Sequence, residues 1–197
     1  MIIIIHRINK IDELKKIPFK YGVEIDIRAN GNRLILNHEP HQDGDDLEEY
    51  LKYYKHSFII FNIKETGIEQ DVINLAERYN IKDYFLLDVE YPFIYRATRK
   101  NNFKKIAVRY SEAEPIEFTL AHKNLVDWVW IDTNTKLPID KKIAKELIGF
   151  KTCIVSPDVL GRPEDIQKYI SQMKLLNFKP DAVMVSLKFG SEWKAYL

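Results

Sequence analysis

The residues in this sequence that most clearly suggest a reactive or metal-binding site are two carboxylates, Glu24 and Asp26, separated by one apolar residue. On a β-strand this spacing points both side chains to the same side. Two carboxylates in a confined space repel each other, and a cation between them would let both stay ionised. A hard ion such as Mg²⁺ or Ca²⁺ suits such ligands. The spacing alone is equally typical of an exposed antiparallel strand with one polar face.

Two histidines, His6 and His38, stand where the chain leaves short apolar runs at residues 2–5 and 34–36. Histidine titrates near neutral pH, so a pair facing one site can divide the acid and base roles across a breaking bond. These two are therefore the candidate catalytic residues. The remaining histidines are expected at the surface: His41, His56 and His122.

Further charged residues also follow apolar runs. Arg7 and Lys64 are candidates for binding an anionic phosphoryl oxygen. For Arg109 an ion pair with nearby carboxylates explains the charge equally well. Carboxylates suited to binding substrate hydroxyl groups follow later runs, at Asp88, Glu112 and Asp132. These side chains can cooperate only if the fold brings the ends of the runs together.

Eight short runs of apolar, β-branched or aromatic residues recur along the chain, at residues 2–5, 23–27, 58–63, 84–87, 106–109, 129–132, 152–156 and 182–186. Continuous apolar runs suit parallel strands that are buried on both faces. Helical spacing of apolar residues lies between several of them, at 47–54, 68–79, 139–147 and 166–173. Pro138 and Pro163 suggest helix starts, and Gly149 suggests a left-handed helix end.

An alternation of eight strands with helices predicts a compact (β/α)₈ TIM barrel with reduced helices, forming one domain over residues 1–197. The polar residues above would then gather at one end of the barrel, where the carboxyl ends of the strands lie. The rival fold is an open, doubly wound sheet. That fold normally has a glycine-rich loop after its first strand, and residues 7–10 contain no glycine.

Composition narrows the range of partners. Lys and Arg number 30 against 29 Asp and Glu, so a broad basic surface for nucleic acid is not expected. The single cysteine, Cys153, is expected to be buried, since it has no partner for an internal disulfide. No apolar run is long enough for a signal peptide or a membrane span, so we expect a cytoplasmic protein without stable membrane association. The sequence carries no signal for an oligomeric state.

Several motifs together resemble the glycerophosphodiester phosphodiesterase family, within the phosphatidylinositol-specific phospholipase C-like superfamily. The shared order is His6-Arg7 after the first strand, Glu24-x-Asp26 on the second, a turn at 30–32, and His38 after the next run. The segment 61–64, Phe-Asn-Ile-Lys, is similar to the family's third-strand motif. Segments 109–115, 130–132 and 155–162 resemble a short bacterial branch, so the likeness spans nearly the whole chain.

This resemblance implies a metal-dependent phosphodiesterase in which His6 and His38 are the acid and base and one divalent ion, Mg²⁺ or Ca²⁺, binds Glu24 and Asp26. Asn62 stands where the family has an acidic third ligand, and its amide oxygen would ligate more weakly. The implied substrate is a small water-soluble phosphodiester of glycerol, a sugar or a polyol. Two alternatives stay open: a cyclising phosphodiester lyase that needs no metal, and an inactive barrel that binds a phosphorylated sugar or polyol.

Overall fold

The computed structural model describes residues 1–194 and contains ten β-strands in that range. They are β1 (Ile2–Ile5), β2 (Gly22–Asn30), β3 (Arg33–Leu36), β4 (Asp45–Asp46), β5 (Ile59–Ile63), β6 (Tyr84–Leu87), β7 (Ala107–Tyr110), β8 (Trp128–Ile131), β9 (Lys151–Val155) and β10 (Ala182–Val185). All except β3 and β4 pair in parallel, and these eight coincide with the eight predicted runs.

The eight parallel strands form a ring in the order β1, β2, β5, β6, β7, β8, β9, β10 and back to β1. Between β6 and β7 the pairing consists of one bridge, Leu86 with Ile106, beside a 2.9 Å hydrogen bond from the Leu86 N–H to the Lys105 carbonyl. The predicted TIM barrel is confirmed. Beyond this bridge, β6 and β7 have no further paired residues among residues 1–194.

Alternate residues of each strand point into the barrel, and bulky rings fill the half near the amino-terminal strand ends. The rings of Phe85 and Trp128 lie 4.9 Å apart, and Phe58 packs 5.2 Å from Trp128. A Cβ at Gly22 would lie 2.9 Å from the Phe58 carbonyl oxygen, so this position requires glycine. The packed aromatic layer leaves the opposite half of the barrel for polar side chains.

Eight α-helices surround the described part of the ring: α1 (Ile11–Leu14), α2 (Leu47–Tyr53), α3 (Glu69–Arg78), α4 (Tyr91–Lys100), α5 (Ile116–Leu120), α6 (Lys141–Glu146), α7 (Ile166–Leu175) and α8 (Gly190–Lys194). Several are only one turn long, as the length of the chain predicts. The four helices expected from periodicity, α2, α3, α6 and α7, are present. The other four helices, α1, α4, α5 and α8, had no counterpart in the set expected from periodicity, and α4 is the longest of them. Within residues 1–194, every helix is too short or too polar to cross a membrane.

Of the three residues predicted to mark helix ends, two lie where the structure begins or ends a helical segment and one does not. Gly149 has a φ of +98°, the left-handed conformation expected after α6, and Pro163 opens a short 3-10 turn (Pro163–Asp165). The interpretation of Pro138 as a helix start is wrong. Helix α6 begins at Lys141, because the Asp140 side chain caps it by accepting a hydrogen bond from the Ile143 N–H at 2.8 Å.

A hairpin attached to the barrel determines the environment of the second strand. Beyond its parallel pairing, β2 continues outward and pairs antiparallel with β3 through a two-residue turn in which Gly31 has a φ of +60°. The returning chain then meets the barrel again, and the Asn37 N–H donates to the Asp26 carbonyl at 3.1 Å. This contact places the segment that carries His38 beside the carboxyl end of β2.

Candidate active site

Glu24 and Asp26 both point into the polar half of the barrel and are each 1% exposed. The residues between and beside them on β2, Val23, Ile25 and Ile27, are fully buried on the outer side, under the helices. The strand therefore alternates as predicted. The alternative of an exposed antiparallel strand is wrong for these two carboxylates, because the barrel encloses them.

Asn62 joins the two carboxylates. It lies opposite Asp26 in the register of β2 and β5, and its side-chain nitrogen Nδ2 donates to Glu24 Oε1 at 2.9 Å and to Asp26 Oδ1 at 3.3 Å. The other amide atom, Oδ1, is buried and has no hydrogen-bond partner among the described residues. The three residues expected to hold a metal are thus brought together at one place.

These three side chains fit a hard divalent cation. The orientation of an asparagine amide follows from its hydrogen bonds, and without a cation the NH₂ group belongs between two carboxylates. A half-turn of the Asn62 amide would instead direct its unpartnered oxygen toward the two carboxylates, giving an all-oxygen donor set. Within residues 1–194 no group of three or more His, Cys, Asp or Glu side chains is arranged to hold a metal. The amide oxygen would therefore be the third ligand.

Burial and the charge of Asp26 raise the pKa of Glu24 from 4.5 to about 7. Hydrogen bonds from Asn62 and from the backbone N–H of Arg7 oppose this rise, since they favour the ionised carboxylate. Near neutral pH the Glu24 carboxyl is therefore protonated in a substantial fraction of the molecules. A cation bound between the two carboxylates would displace that proton, so cation binding and pH are linked at this site.

The loop after β1 holds the carboxylates from one side. Arg7 adopts a left-handed backbone conformation, with a φ of +55°, and its N–H donates to Glu24 Oε2 at 2.8 Å. Asn9 makes two hydrogen bonds to Asp26: its Nδ2 donates to Oδ2, and its Oδ1 accepts from the Asp26 N–H, both at 2.8 Å. Asn9 was not predicted as a site residue from the sequence. Its only signal was a polar residue three positions after His6.

The two candidate histidines lie at the same mouth of the barrel. Burial, followed by the charge of Arg7, lowers the pKa of His6 from 6.5 to about 4, and the charge of His38 contributes in the same direction. His6 is therefore neutral at neutral pH and able to accept a proton. The His38 side chain is 37% exposed, and its Nδ1 lies 2.6 Å from Glu39 Oε1, which orients the ring.

Arg28 connects His38 to the barrel. It too was not predicted as a site residue from the sequence. Its Nε and Nη2 donate to the backbone carbonyl of His38 at 3.2 and 2.9 Å, and its Nη1 donates to the Lys64 carbonyl at 3.0 Å. One guanidinium thus links the loop after β3 to the end of β5. The available signal was its spacing, two residues beyond Asp26 on the same face of the strand.

A belt of alternating charges continues around the mouth. Lys64 Nζ lies 3.5 Å from Asp26 Oδ1 and 3.2 Å from Asp88 Oδ2. Arg109 donates from Nε to Asp88 Oδ1 at 2.8 Å and forms a second, close contact with Asp132. Arg109 is therefore held in ion pairs with carboxylates in this structure. A phosphoryl group would have to displace one of these carboxylates to reach Arg109.

Glu112 faces away from this belt. Its Oε1 accepts hydrogen bonds from the backbone N–H and the hydroxyl group of Thr135, at 2.5 and 2.9 Å. The side chain therefore joins the loop after β7 to the loop after β8. Glu112 was predicted to bind substrate together with Asp88 and Asp132. Unlike those two, its carboxylate does not contact Lys64 or Arg109.

The expectation that the other histidines lie at the surface is wrong for two of them. His56 is buried with its Nε2 2.9 Å from the Ile17 carbonyl, and His122 is buried with its Nδ1 2.8 Å from the Phe118 carbonyl. Only His41 is exposed as expected. Cys153 is buried inside the barrel as predicted, and burial raises the pKa of its thiol.

Three solved structures share the fold over nearly the whole chain. A phosphodiesterase from Oleispira antarctica, in complex with the product sn-glycerol-3-phosphate, superposes with a TM-score of 0.65 at 15% identity, covering 100% of this chain and 96% of that one. A glycerophosphoryl diester phosphodiesterase from Parabacteroides distasonis gives 0.66 at 12% identity, covering 100% and 87%. A glycerophosphodiester phosphodiesterase from Agrobacterium tumefaciens gives 0.58 at 10% identity, covering 93% and 96%.

No protein-family model matches the sequence, and no curated protein matches it significantly. At identities of 10–15% the three structures establish the fold. The chain thus has the barrel that is found in glycerophosphodiester phosphodiesterases.

Proposed function

We propose that this chain is a phosphoric diester hydrolase that cleaves a small phosphodiester of the glycerophosphodiester type. The observation that carries the proposal is the buried pair of Glu24 and Asp26, joined by Asn62 below the two histidines. The product sn-glycerol-3-phosphate in the Oleispira structure supports a glycerol-containing substrate.

Glu24, Asp26 and the amide oxygen of Asn62 would hold one divalent ion, Mg²⁺ or Ca²⁺. When bound, such an ion supplies positive charge that stabilises a non-bridging phosphoryl oxygen. Arg7 and Lys64 border the same pair and would orient the phosphoryl group by hydrogen bonding. Lys64 is already held between two carboxylates, which fixes the position of its ammonium group.

The lowered pKa keeps the His6 imidazole neutral near pH 7, so His6 would act as the base. His6 would take the proton from the attacking hydroxyl group, either of water or of the substrate itself. A new phosphorus–oxygen bond forms as the ester bond to the alcohol breaks, and His38 would give its proton to the departing alkoxide. The products are a phosphomonoester, or first a cyclic phosphate, and a free alcohol.

The test is cleavage of a panel of glycerophosphodiesters and a chromogenic diester with Mg²⁺, Ca²⁺ or Mn²⁺, and with chelator. Turnover is expected with metal only, and His38→Ala should lower it by about 100-fold or more. His41→Ala is the matched control, since His41 is an exposed histidine in the same loop. Wild-type turnover by His38→Ala would contradict the assignment.

A second candidate is a cyclising lyase that needs no metal. It is favoured by one observation: the Asn62 NH₂ group and the Lys64 ammonium already balance the two carboxylates. In that case turnover would be insensitive to chelator and would stop at a cyclic phosphate. Binding of a phosphorylated polyol without any product would instead indicate a barrel that has lost catalysis.

A further inference from the structure

A second concave site adjoins the mouth at the seam between β6 and β7. It has a volume of about 370 Å³, and its walls are mainly apolar. Val89 and Ile94 line it from the side of α4, and Val108, Pro115 and Phe118 line it from β7 and α5. This volume is within the range of ordinary small-molecule sites.

The cavity is continuous with the charged belt. Asp88 and Arg109 line it, and the same two side chains are paired with each other in the belt. The pairing of β6 and β7 is limited to the bridge at Leu86, two residues before Asp88, so no backbone pairing joins the two strands at the level of Asp88 and Arg109. Asp88 contacts Lys64 and also lines the cavity, so a substrate whose phosphoryl group lay beside Arg7 and Lys64 would direct one substituent past Asp88 toward this space.

Large aromatic side chains form the outer rim. Tyr91 is 50% exposed and Phe118 is 42% exposed, and their ring centroids lie 6.1 Å apart. Exposed aromatic rings around an apolar cavity are typical of a binding site, since an apolar ligand would remove their surface from water.

The charges around the cavity favour an apolar occupant over an anionic one. Arg109, the cationic group in its wall, is already paired with Asp88 and Asp132. Asp88 in turn also contacts Lys64. The other carboxylate in the wall is Glu114, whose negative charge would repel a second phosphate or a carboxylate.

We propose that this cavity is the subsite for the alcohol portion of the phosphodiester and that it selects an apolar alkyl or aryl alcohol. The inference rests on the proposed function, because the phosphoryl group must lie at the mouth for the alcohol to reach the cavity. It makes Phe118 and Tyr91 specificity-determining residues.

The experiment compares two diesters of sn-glycerol-3-phosphate that differ only in the alcohol, ethanol or 2-phenylethanol. Their uncleavable methylene-phosphonate analogues report binding alone. Burial of the phenyl group should lower Kd and raise kcat/KM by about 10-fold or more. Phe118→Ala and Tyr91→Ala should each reduce this preference to about 3-fold or less. Phe19→Ala, which replaces an exposed phenylalanine outside the cavity, should keep it.

The outcomes separate the two proposals. Equal Kd values for the two analogues, or a preference that Phe118→Ala and Tyr91→Ala leave unchanged in folded protein, would overturn the subsite. If neither diester is cleaved but the phenylethyl analogue still binds more tightly, the subsite is supported and the hydrolase function is overturned. Thermal unfolding of each variant identifies one that fails to fold, and the two substitutions lie on different helices.

Discussion

The side-chain nitrogen of Asn62 lies 2.9 Å from Glu24 Oε1, so an uncharged amide stands between the two most buried carboxylates of the barrel mouth. An amide group can donate or accept depending on which atom it turns inward. The same residue can therefore balance the carboxylates without a cation and supply an oxygen ligand to one. The residue at position 62 therefore affects both the charge balance of Glu24 and Asp26 and the binding of a cation between them.

The first prediction concerns Asn62→Asp. A third carboxylate should raise the affinity for a divalent ion by about 10-fold, because a charged ligand replaces a neutral one. In chelator the variant should be less stable than the wild type by roughly 1–3 kcal/mol, since three buried carboxylates then repel one another. Thermal unfolding with and without Mg²⁺ or Ca²⁺ measures both effects. Equal metal affinity in the two proteins would show that Asn62 is not a ligand.

The second prediction concerns the pH dependence of stability. The unfolded chain loses the Glu24 proton near pH 4.5, whereas the folded protein keeps it to about pH 7. The folded state therefore holds more protons in this window, and the contribution of Glu24 to stability is lost as pH rises through it. Glu24→Gln keeps this position neutral at every pH. The stability of the variant relative to wild type should rise by about 3 kcal/mol from pH 4.5 to above 7 in chelator.

Denaturant unfolding at several pH values measures this difference. The pKa of His6, which is about 4 in the folded protein against 6.5, gives the opposite trend, because the folded state then holds fewer protons. That trend is common to both proteins and cancels in the comparison. A difference that stays flat with pH would mean that Glu24 titrates normally.

The third prediction concerns the catalytic pH profile. If His6 is the base, kcat/KM measured at saturating metal should hold down to about pH 5 and fall only as pH drops through about 4, where the imidazole gains its proton. His6→Ala should lower kcat by about 100-fold or more. An acid limb centred near the ordinary histidine pKa of 6.5 would argue against His6 as the base.

The fourth prediction concerns Arg28, a positioning residue. Arg28→Lys cannot hold the carbonyls of His38 and Lys64 together, because lysine lacks the planar fork of donors. We expect kcat to fall by about 10-fold with little change in KM and no shift in the pH profile. Arg33→Lys, at the exposed first position of β3 in the same hairpin, should leave kcat unchanged. Unchanged kcat in Arg28→Lys would remove this role.

Much of the barrel could be predicted from the sequence because its strands are buried on both faces and read as continuous apolar runs. The two-residue spacing of Glu24 and Asp26 likewise predicted their shared orientation, because side chains alternate along any strand. Helix α4 was harder to predict. Its buried face consists of Ile94, Ala97 and Thr98, a short and weak apolar stripe among aromatic and basic residues.

The missed site residues depend on contacts between distant parts of the chain. Asn9 reaches Asp26 across 17 positions, and Arg28 reaches Lys64 across 36. Neither pairing leaves a local pattern in the sequence. The buried environments of His56 and His122 depend partly on distant residues as well, since the ring of Phe19 lies 5.3 Å from that of His56 and the ring of Tyr91 lies 6.0 Å from that of His122.

The central claim is tested most directly by following a glycerophosphodiester with ³¹P NMR as the protein acts on it. We predict a phosphomonoester signal, directly or after a transient cyclic phosphate, in the presence of Mg²⁺ or Ca²⁺. That signal should be absent with chelator and absent with His6→Ala. A diester signal that persists unchanged with every metal, in protein that is folded, would contradict the claim that this barrel is a phosphodiesterase.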